Sequence, residues 1–121
     1  MKIAIPAEDK LISSNVCQSF GRTLYFVVAD TGTMEYEVID NVAASSQGGA
    51  GIKAAQSIVD SGAEAVVTFH CGQNAADVLK AADIKILKAV PGTIEEIVQK
   101  FKAGELAELT EIQPGQHQHG G

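Results

Sequence analysis

Short apolar runs, separated by polar or glycine-containing segments, form the main pattern along this chain. Residues 2–7 and 24–29 are almost continuously apolar, which is typical of strands buried on both faces of a sheet. Residues 34–39 instead alternate apolar with charged side chains, and this period of two predicts a half-exposed strand at a sheet edge. Because only a turn at residues 30–33 separates the second run from the third, we expect these two strands to form an antiparallel hairpin.

The second half of the chain predicts three helices that alternate with two short strands. The strands are residues 65–69 and 84–87, which are largely apolar. The apolar positions that recur with helical spacing are Ile52, Ala55, Ile58 and Val59, then Val78, Leu79 and Ala82, and finally Ile94, Ile97, Val98 and Phe101. The helix-boundary signals are Gly62 as a stop, Asn74 with Asp77 as a capping pair, and Thr93 with Glu96 at capping-box spacing.

The elements therefore follow the order βββαβαβα. Alternating strands and helices imply right-handed parallel crossovers, so the simplest architecture is a five-stranded mixed sheet with one antiparallel strand. Helices on both faces make this a three-layer α/β/α fold of the ribonuclease-H-like kind. We expect a single domain over residues 1–109, followed by a flexible Gly/Gln/His tail over residues 110–121 that carries His117 and His119.

Composition and charge narrow the class of protein. With 121 residues, 45% of them hydrophobic, the chain has room for one domain with one core. No apolar segment approaches the ~18 residues of a membrane span, and the N-terminus runs directly into a predicted strand. We therefore expect a cytoplasmic protein with no membrane partner. A net charge of −6 repels phosphate backbones, which argues against a nucleic-acid partner.

The predicted topology gathers several loops at one edge of the sheet. Strands one, three, four and five are expected to run parallel, so the loops that follow them leave from the same edge. Ligands of open α/β sheets bind at such carboxyl ends. These loops contain Cys17, residues 48–51, His70, Cys71 and residues 90–92.

Two metal-ligating side chains, His70 and Cys71, lie between a buried strand and a helix start. The positive end of the helix dipole favours the thiolate of Cys71, which is the form that binds soft metals or attacks electrophiles. The neighbouring imidazole suits iron, zinc or copper, and Cys17 would complete an open site of three ligands. The plainer alternative is that Cys71 packs as a small buried residue while His70 forms a local hydrogen bond.

Glycine-rich residues 48–51 precede the first predicted helix, where exposed backbone N–H groups can bind an anion. The stretch has neither the Lys-Ser/Thr of a P-loop nor the GxGxxG spacing of a dinucleotide site. Its plainer explanation is close backbone packing at a helix start. Arg22 is a second candidate anion contact, or it tethers its loop to a carboxylate.

Four short motifs occur in order along the chain: Met1-Lys2-Ile3-Ala4-Ile5-Pro6, Ser19-Phe20-Gly21-Arg22, Gly48-Gly49-Ala50-Gly51-Ile52 and Gly72-Gln73-Asn74-Ala75. Together, over residues 1–109, they resemble the dinitrogenase iron–molybdenum cofactor biosynthesis family of small nitrogenase accessory and carrier proteins. The resemblance implies a ribonuclease-H-like fold. It also implies binding of an iron–sulfur or molybdenum-containing cluster, or its precursor, without turnover, and partner proteins that donate and accept the cluster.

The resemblance also suggests which residues hold the cluster. Ser19 stands where the family often has histidine, and Gln73 stands where it often has proline, so His70 and Cys71 are candidates for replacement ligands. A preparation made in air is expected to lack the iron–sulfur or iron–molybdenum cluster. The residues assigned to the site are Cys17, His70 and Cys71 as metal ligands and Arg22, Gly49, Gly51 and Asn74 as further contacts.

Other functions stay open at this point. Cys71 would serve a thiol enzyme or redox sensor if its thiolate is reactive, and residues 48–51 would serve a small-anion or nucleotide-binding regulatory module. A domain that only contacts other proteins is a further alternative. No acid–base pair or nucleophile triad can be named, so we expect a protein that is not an enzyme. The sequence leaves the assembly state, monomer or homodimer, undecided.

Overall fold

The computed structural model of the protein describes residues 1–42, 48–110 and 112. Within these residues it contains a five-stranded mixed sheet and three α-helices, which confirms the predicted α/β class. The elements in chain order are β1 (Lys2–Ala7), β2 (Tyr25–Asp30), β3 (Tyr36–Asp40), α1 (Ala50–Ser61), β4 (Ala65–Thr68), α2 (Gln73–Ala81), β5 (Lys85–Lys88) and α3 (Ile94–Lys102).

The strands lie in the order β3-β2-β1-β4-β5 across the sheet. β2 is antiparallel to both β1 and β3, whereas β4 is parallel to β1 and β5 is parallel to β4. The predicted hairpin is confirmed, and β3 forms the predicted sheet edge. Because β1, β3, β4 and β5 share one direction, their carboxyl ends meet at one edge, which we call the carboxyl edge.

The sheet separates two hydrophobic cores, with helices packed on both faces as predicted. One core lies under α1 and α2, and the other lies under α3. The first includes Phe26, Val28, Val66 and Ile86 from the sheet with Ala54, Ala55, Ile58, Ala75, Ala76 and Leu79 from the helices. The second includes Ile3, Ile5, Val27 and Val67 from the sheet with Ile94, Ile97 and Val98 from α3.

The predicted apolar faces of the first two helices need two corrections. Ile52 is 39% exposed, because the face of α1 that packs inward is carried by alanines and Ile58 instead. Ala82 is exposed because it lies one residue beyond the end of α2, at its C-cap. Gly62 is confirmed as the stop of α1, where it adopts the left-handed conformation that glycine accommodates readily.

The N-terminus of α3 is fully occupied by protein groups. The Thr93 hydroxyl accepts a hydrogen bond from the Glu96 N–H, and the Glu96 carboxylate accepts one from the Thr93 N–H, which confirms the predicted capping box. Carbonyls of the loop after β1 take up the next donors, since Ser14 O accepts from Ile94 N and Ile12 O accepts from Glu95 N. These hydrogen bonds therefore attach the loop after β1 to the start of α3, on the α3 side of the carboxyl edge.

We expect Thr93→Ala to lower the free energy of unfolding by about 1 kcal/mol, because it removes the hydroxyl half of the capping box. Denaturant titration measures this loss. Ligand binding should not change, because α3 lies across the sheet from α1 and α2. A stability equal to that of the wild type would show that the hydrogen bond from Glu96 N–H to the Thr93 hydroxyl contributes nothing net.

The C-terminal part of the described chain covers the β5 edge of the sheet. Lys88 N–H donates to Ala107 O, and Leu109 N–H donates to Ile86 O. Leu109 is buried against the α1/α2 core. The predicted flexible tail, including His117 and His119, lies outside the described residues apart from residues 110 and 112. None of the helices in the described residues is both long and apolar enough to cross a membrane.

Candidate functional site: a cavity at the carboxyl edge

A cavity of about 580 Å³ opens at the carboxyl edge on the α1/α2 side of the sheet. Its volume falls within the range of about 300–1,000 Å³ that is common for small-molecule sites. Three segments form its walls: the end of the loop after β1, the start of α1, and the connection from β4 to α2. The lining comprises residues 18–22, 48–52 and 70–75.

Both helices that border the cavity begin at glycines without a side-chain cap. Gly49 is the N-cap of α1 and adopts a left-handed conformation with φ 69°, while Gly72 is the N-cap of α2. Neither helix has an acidic residue in its first turn. Two positive helix ends with N–H groups uncapped by side chains therefore face one cavity, an arrangement that favours a negatively charged ligand.

The loop that carries Arg22 into the cavity wall is held by its own side chains. The Ser19 hydroxyl accepts a hydrogen bond from Arg22 N–H at 3.0 Å. Phe20 is buried and packs edge-on against Phe26, with ring centroids 5.4 Å apart. The buried Thr23 hydroxyl lies 3.1 Å from the carbonyl oxygens of Ala7 and Tyr25, so the end of the loop is attached to both β1 and β2. Arg22 itself is exposed and lines the cavity.

The walls of the cavity touch where Gly21 meets Gly51. A Cβ atom at Gly21 would lie 3.1 Å from Gly51 N and 3.3 Å from Gly51 Cα. A Cβ atom at Gly51 would in turn lie 3.5 Å from the Ala75 Cβ of α2. The absence of side chains at these two glycines lets the loop, α1 and α2 approach one another closely enough to form a single pocket.

The sequence predicted that the dipole of α2 would favour a thiolate at Cys71, and this prediction is wrong. The Cys71 side chain is 1% exposed and belongs to the α1/α2 core, with Sγ 3.6 Å from Gly72 O. Burial raises the pKa of the Cys71 thiol to about 11, and a weak opposing effect of Lys80 does not reverse this. Desolvation of the charged form outweighs the dipole of α2, so Cys71 is a neutral thiol at neutral pH.

The start of α2 also differs from the prediction. The helix begins at Gln73 rather than after Asn74, so Asn74 lies in the first turn and does not cap it. The Gln73 amide donates instead to the Asp77 carboxylate at 2.7 Å, one helical turn away. Asn74 is thereby left exposed on the wall of the cavity.

The structure brings most of the predicted site residues together, but not all of them. The cavity is lined by Arg22, Gly49, Gly51, His70, Cys71 and Asn74. Cys17 is not among the lining residues; its backbone N–H donates to Pro6 O at 2.8 Å, where the loop crosses the end of β1. Residues 90–92 lead to the α3 side, where Gly92 O accepts from Val16 N–H.

The predicted site of three metal ligands is therefore not formed. Among the residues that the structure describes, no three His, Cys, Asp or Glu side chains lie close enough together to hold a metal ion. The physical reason is that the loop after β1 crosses from the α3 side to the α1/α2 side. Cys17 lies at that crossing, Cys71 is buried in the α1/α2 core, and His70 is exposed in the cavity.

Sequence reasoning missed Gln18 and Gln73 in the cavity wall, and Asn41 behind it. Asn41 is 4% exposed, and its side-chain amide donates to Gly21 O at 3.1 Å and to Thr23 O at 2.8 Å. A polar residue that directly follows a predicted strand is a weak signal, because such residues usually face solvent. Only the packed structure shows that this one is buried.

The fold and the cavity together define a class: a small α/β domain with an anion-compatible pocket at the carboxyl ends of its strands. The chain belongs to the dinitrogenase iron–molybdenum cofactor family, whose model matches residues 1–104. No match was found among curated proteins.

Solved structures extend this assignment. The apo form of the orange protein from Desulfovibrio gigas is 37% identical, with a TM-score of 0.86 over 90% of this chain and 92% of that chain. A Thermotoga protein provisionally assigned as NifB is 38% identical, with a TM-score of 0.80 over 93% and 96% of the two chains. A Methanocaldococcus jannaschii protein provisionally assigned as a dinitrogenase shares the fold at 19% identity, with a TM-score of 0.68 over 92% and 96%.

Proposed function

We propose that this protein binds and carries a pre-assembled, anionic iron–sulfur or molybdenum-containing cluster, or its precursor, without chemical turnover. The observation that carries the proposal is the convergence of two helix N-termini without side-chain caps on one cavity that Arg22 also lines. Backbone N–H groups and positive charge stabilise an anion there. Membership of a family named for the iron–molybdenum cofactor favours a metallocluster over other anions.

The cluster is cargo, and we propose that the cavity holds it mainly by hydrogen bonds and charge. A cluster that is already assembled brings its own sulfide ligands, so it does not need the set of three protein ligands that the described residues lack. The backbone at Gly49 and Gly51 supplies donors, while Arg22 supplies charge. His70, exposed in the cavity, is the side chain best placed to add one metal bond.

The proposed role also involves partner proteins and a cellular setting. We propose that donor and acceptor proteins exchange the cluster at the open mouth of the cavity, in the cytoplasm. We also propose that the domain belongs to the ribonuclease-H-like folds, and its element order supports this proposal. A thiol enzyme or redox sensor is disfavoured, because the Cys71 thiol is buried and its pKa is raised to about 11.

Loading of the full chain, in the absence of oxygen, with a cluster formed beforehand from iron, sulfide and molybdate tests the proposal. We expect the wild-type protein to retain metal stoichiometrically after gel filtration, with a visible absorbance band that free ions lack. Arg22→Gln and His70→Ala should each lower the retained metal, because each removes a group that lines the cavity. Metal analysis and absorbance spectroscopy provide the measurements.

Two control variants make this experiment specific to the cavity. Lys100→Gln removes one positive charge from α3, on the opposite side of the sheet, and should retain metal as the wild type does. Cys17→Ser should also retain it, since Cys17 does not line the cavity. Equal metal content in all variants, or none in the wild type, would refute the proposal.

The same preparation tests the cavity as a site for other anions. The helix ends would also suit phosphate, so inorganic phosphate and a nucleoside triphosphate are added to the cluster-free protein in a thermal unfolding assay. A rise in Tm with phosphate, combined with no retained metal, would identify a small-anion regulatory module. Retained metal with little effect of phosphate supports the cluster carrier.

A further inference from the structure

Asn41 forms a buried clamp behind the wall of the cavity. It follows β3 directly, and its backbone N–H donates to Leu24 O at 2.9 Å. Its side-chain amide donates to Gly21 O and to Thr23 O. Asn41 therefore bonds to the carbonyls of residues 21, 23 and 24, and the two side-chain bonds lie on either side of Arg22. The end of β3 is in this way attached to the loop that forms the cavity wall.

The clamp is made at an energetic cost. The Oδ1 atom of Asn41 is buried, and it has no hydrogen-bond partner in the part of the chain that the structure describes. A buried acceptor without a partner is unfavourable, and native proteins contain few of them. The two donor bonds of the same amide offset this cost and hold the carbonyls of Gly21 and Thr23 in place.

We propose that Asn41 is a positioning residue for the cavity and that it acts through Arg22. This inference rests on the proposed function, since Arg22 is the charged side chain assigned to the anionic cluster. Asn41 is not among the residues that line the cavity, so it would act on the cargo only through its neighbours. By holding the carbonyls on both sides of Arg22, it keeps the guanidinium pre-organised against the cluster, which lowers the entropic cost of binding.

A double-mutant cycle on the rate of cluster release tests this role. We expect Asn41→Ala to speed release from the reconstituted protein by about tenfold, which corresponds to ~1.4 kcal/mol. In the Arg22→Gln background, the same substitution should change the rate less than about twofold, because residues that act through one another are not additive. Asn41→Leu keeps the side-chain volume, lacks both donors and should behave as Asn41→Ala does.

Ser61→Ala is a matched control at the other end of α1. The Ser61 hydroxyl also forms two local bonds, to Ile58 O at 2.6 Å and from Ala63 N–H at 3.3 Å. We expect this variant to lose stability but to release the cluster at the wild-type rate. If Ser61→Ala speeds release as much as Asn41→Ala does, the effect is general destabilisation and the proposal is wrong.

Hydrogen exchange of the cluster-free chain tests the structural effect of Asn41 independently of the cargo. Asn41→Ala should speed amide exchange at residues 21–24 while leaving β4 unchanged. If the wild type takes up no cluster, the proposed function and this role both fail. If it loads normally but Asn41→Ala has no effect, or the same effect with and without Arg22, only the role of Asn41 is overturned.

Discussion

Replacing Gly21 by valine is expected to open the cavity and to abolish tight retention of its cargo. The first added atom, Cβ, would lie 3.1 Å from Gly51 N and 3.4 Å from the carbonyl carbon of Ala50, both of them backbone atoms of α1 that cannot rotate away. Two further methyl groups enlarge the overlap, so α1 has to move away from the loop. Such overpacking costs about 1–3 kcal/mol of stability.

The substitution should weaken binding as well as folding, because the displacement separates Arg22 from the N-terminus of α1. We expect cluster release to accelerate at least about tenfold, ~1.4 kcal/mol, while urea titration shows a folded protein with reduced stability. Gly21→Ala should give an intermediate result.

Gly48→Ala is the matched control for this substitution, since Gly48 also lines the cavity. No described atom lies within 4 Å of a Cβ placed at Gly48, so the added methyl group meets no obstacle among the described residues. We expect wild-type stability and wild-type retention. If Gly21→Val retains its cargo as well as Gly48→Ala does, the contact between Gly21 and Gly51 does not shape the cavity.

The Cys71 thiol is expected to be nearly inert toward thiol reagents in the folded protein. With a pKa of about 11 in place of the ordinary value of 9.0, its thiolate fraction at pH 8 is smaller by roughly a hundredfold. Burial adds a steric barrier. Labelling with a disulfide reagent in the Cys17→Ser variant measures the rate, and unfolding in urea should restore the rate of a free cysteine.

The raised pKa also makes a signed prediction for stability. The Cys71 thiol loses its proton at a lower pH in the unfolded chain than in the folded protein. The contribution of this thiol to the free energy of unfolding is therefore complete below pH 9.0 and is lost as the pH rises toward about 11. The loss is of order 1–2 kcal/mol. The difference in free energy of unfolding between wild type and Cys71→Ala, measured against pH, isolates this loss from the effects of other groups that titrate at high pH. Rapid labelling of Cys71 in the folded protein would contradict its burial. The same pH dependence of stability in wild type and Cys71→Ala would also contradict it.

Elements and their types were predictable from local patterns. The apolar runs around β1, β2 and β4, the alternation in β3, and the capping box at Thr93 depend on interactions between residues close in sequence, so the sequence alone was sufficient. Parallel strand direction then followed from the alternation with helices. Direction alone predicted that residues 48–51, His70 and Cys71 would lie at one edge of the sheet.

Neither the charge state of Cys71 nor the set of residues that line the cavity was predictable, because both depend on contacts between distant segments. The dipole of α2 would favour a thiolate at Cys71, but burial among side chains from α1 and the sheet reverses that preference. Cys17 is on the predicted loop, yet the crossing of that loop between the two cores leaves it outside the cavity.

Local sequence patterns were sufficient to predict the class of fold, the edge of the sheet that carries the site, and the family, through four ordered motifs. The packed structure was needed to show that one face of that edge is open while the other is closed by the loop packed on α3. It also decided that Asn41, 20 residues from Gly21 in the chain, is bonded to the cavity wall. Sequence patterns encode local periodicity, whereas desolvation and side-chain clamps arise only when segments far apart in the chain pack together.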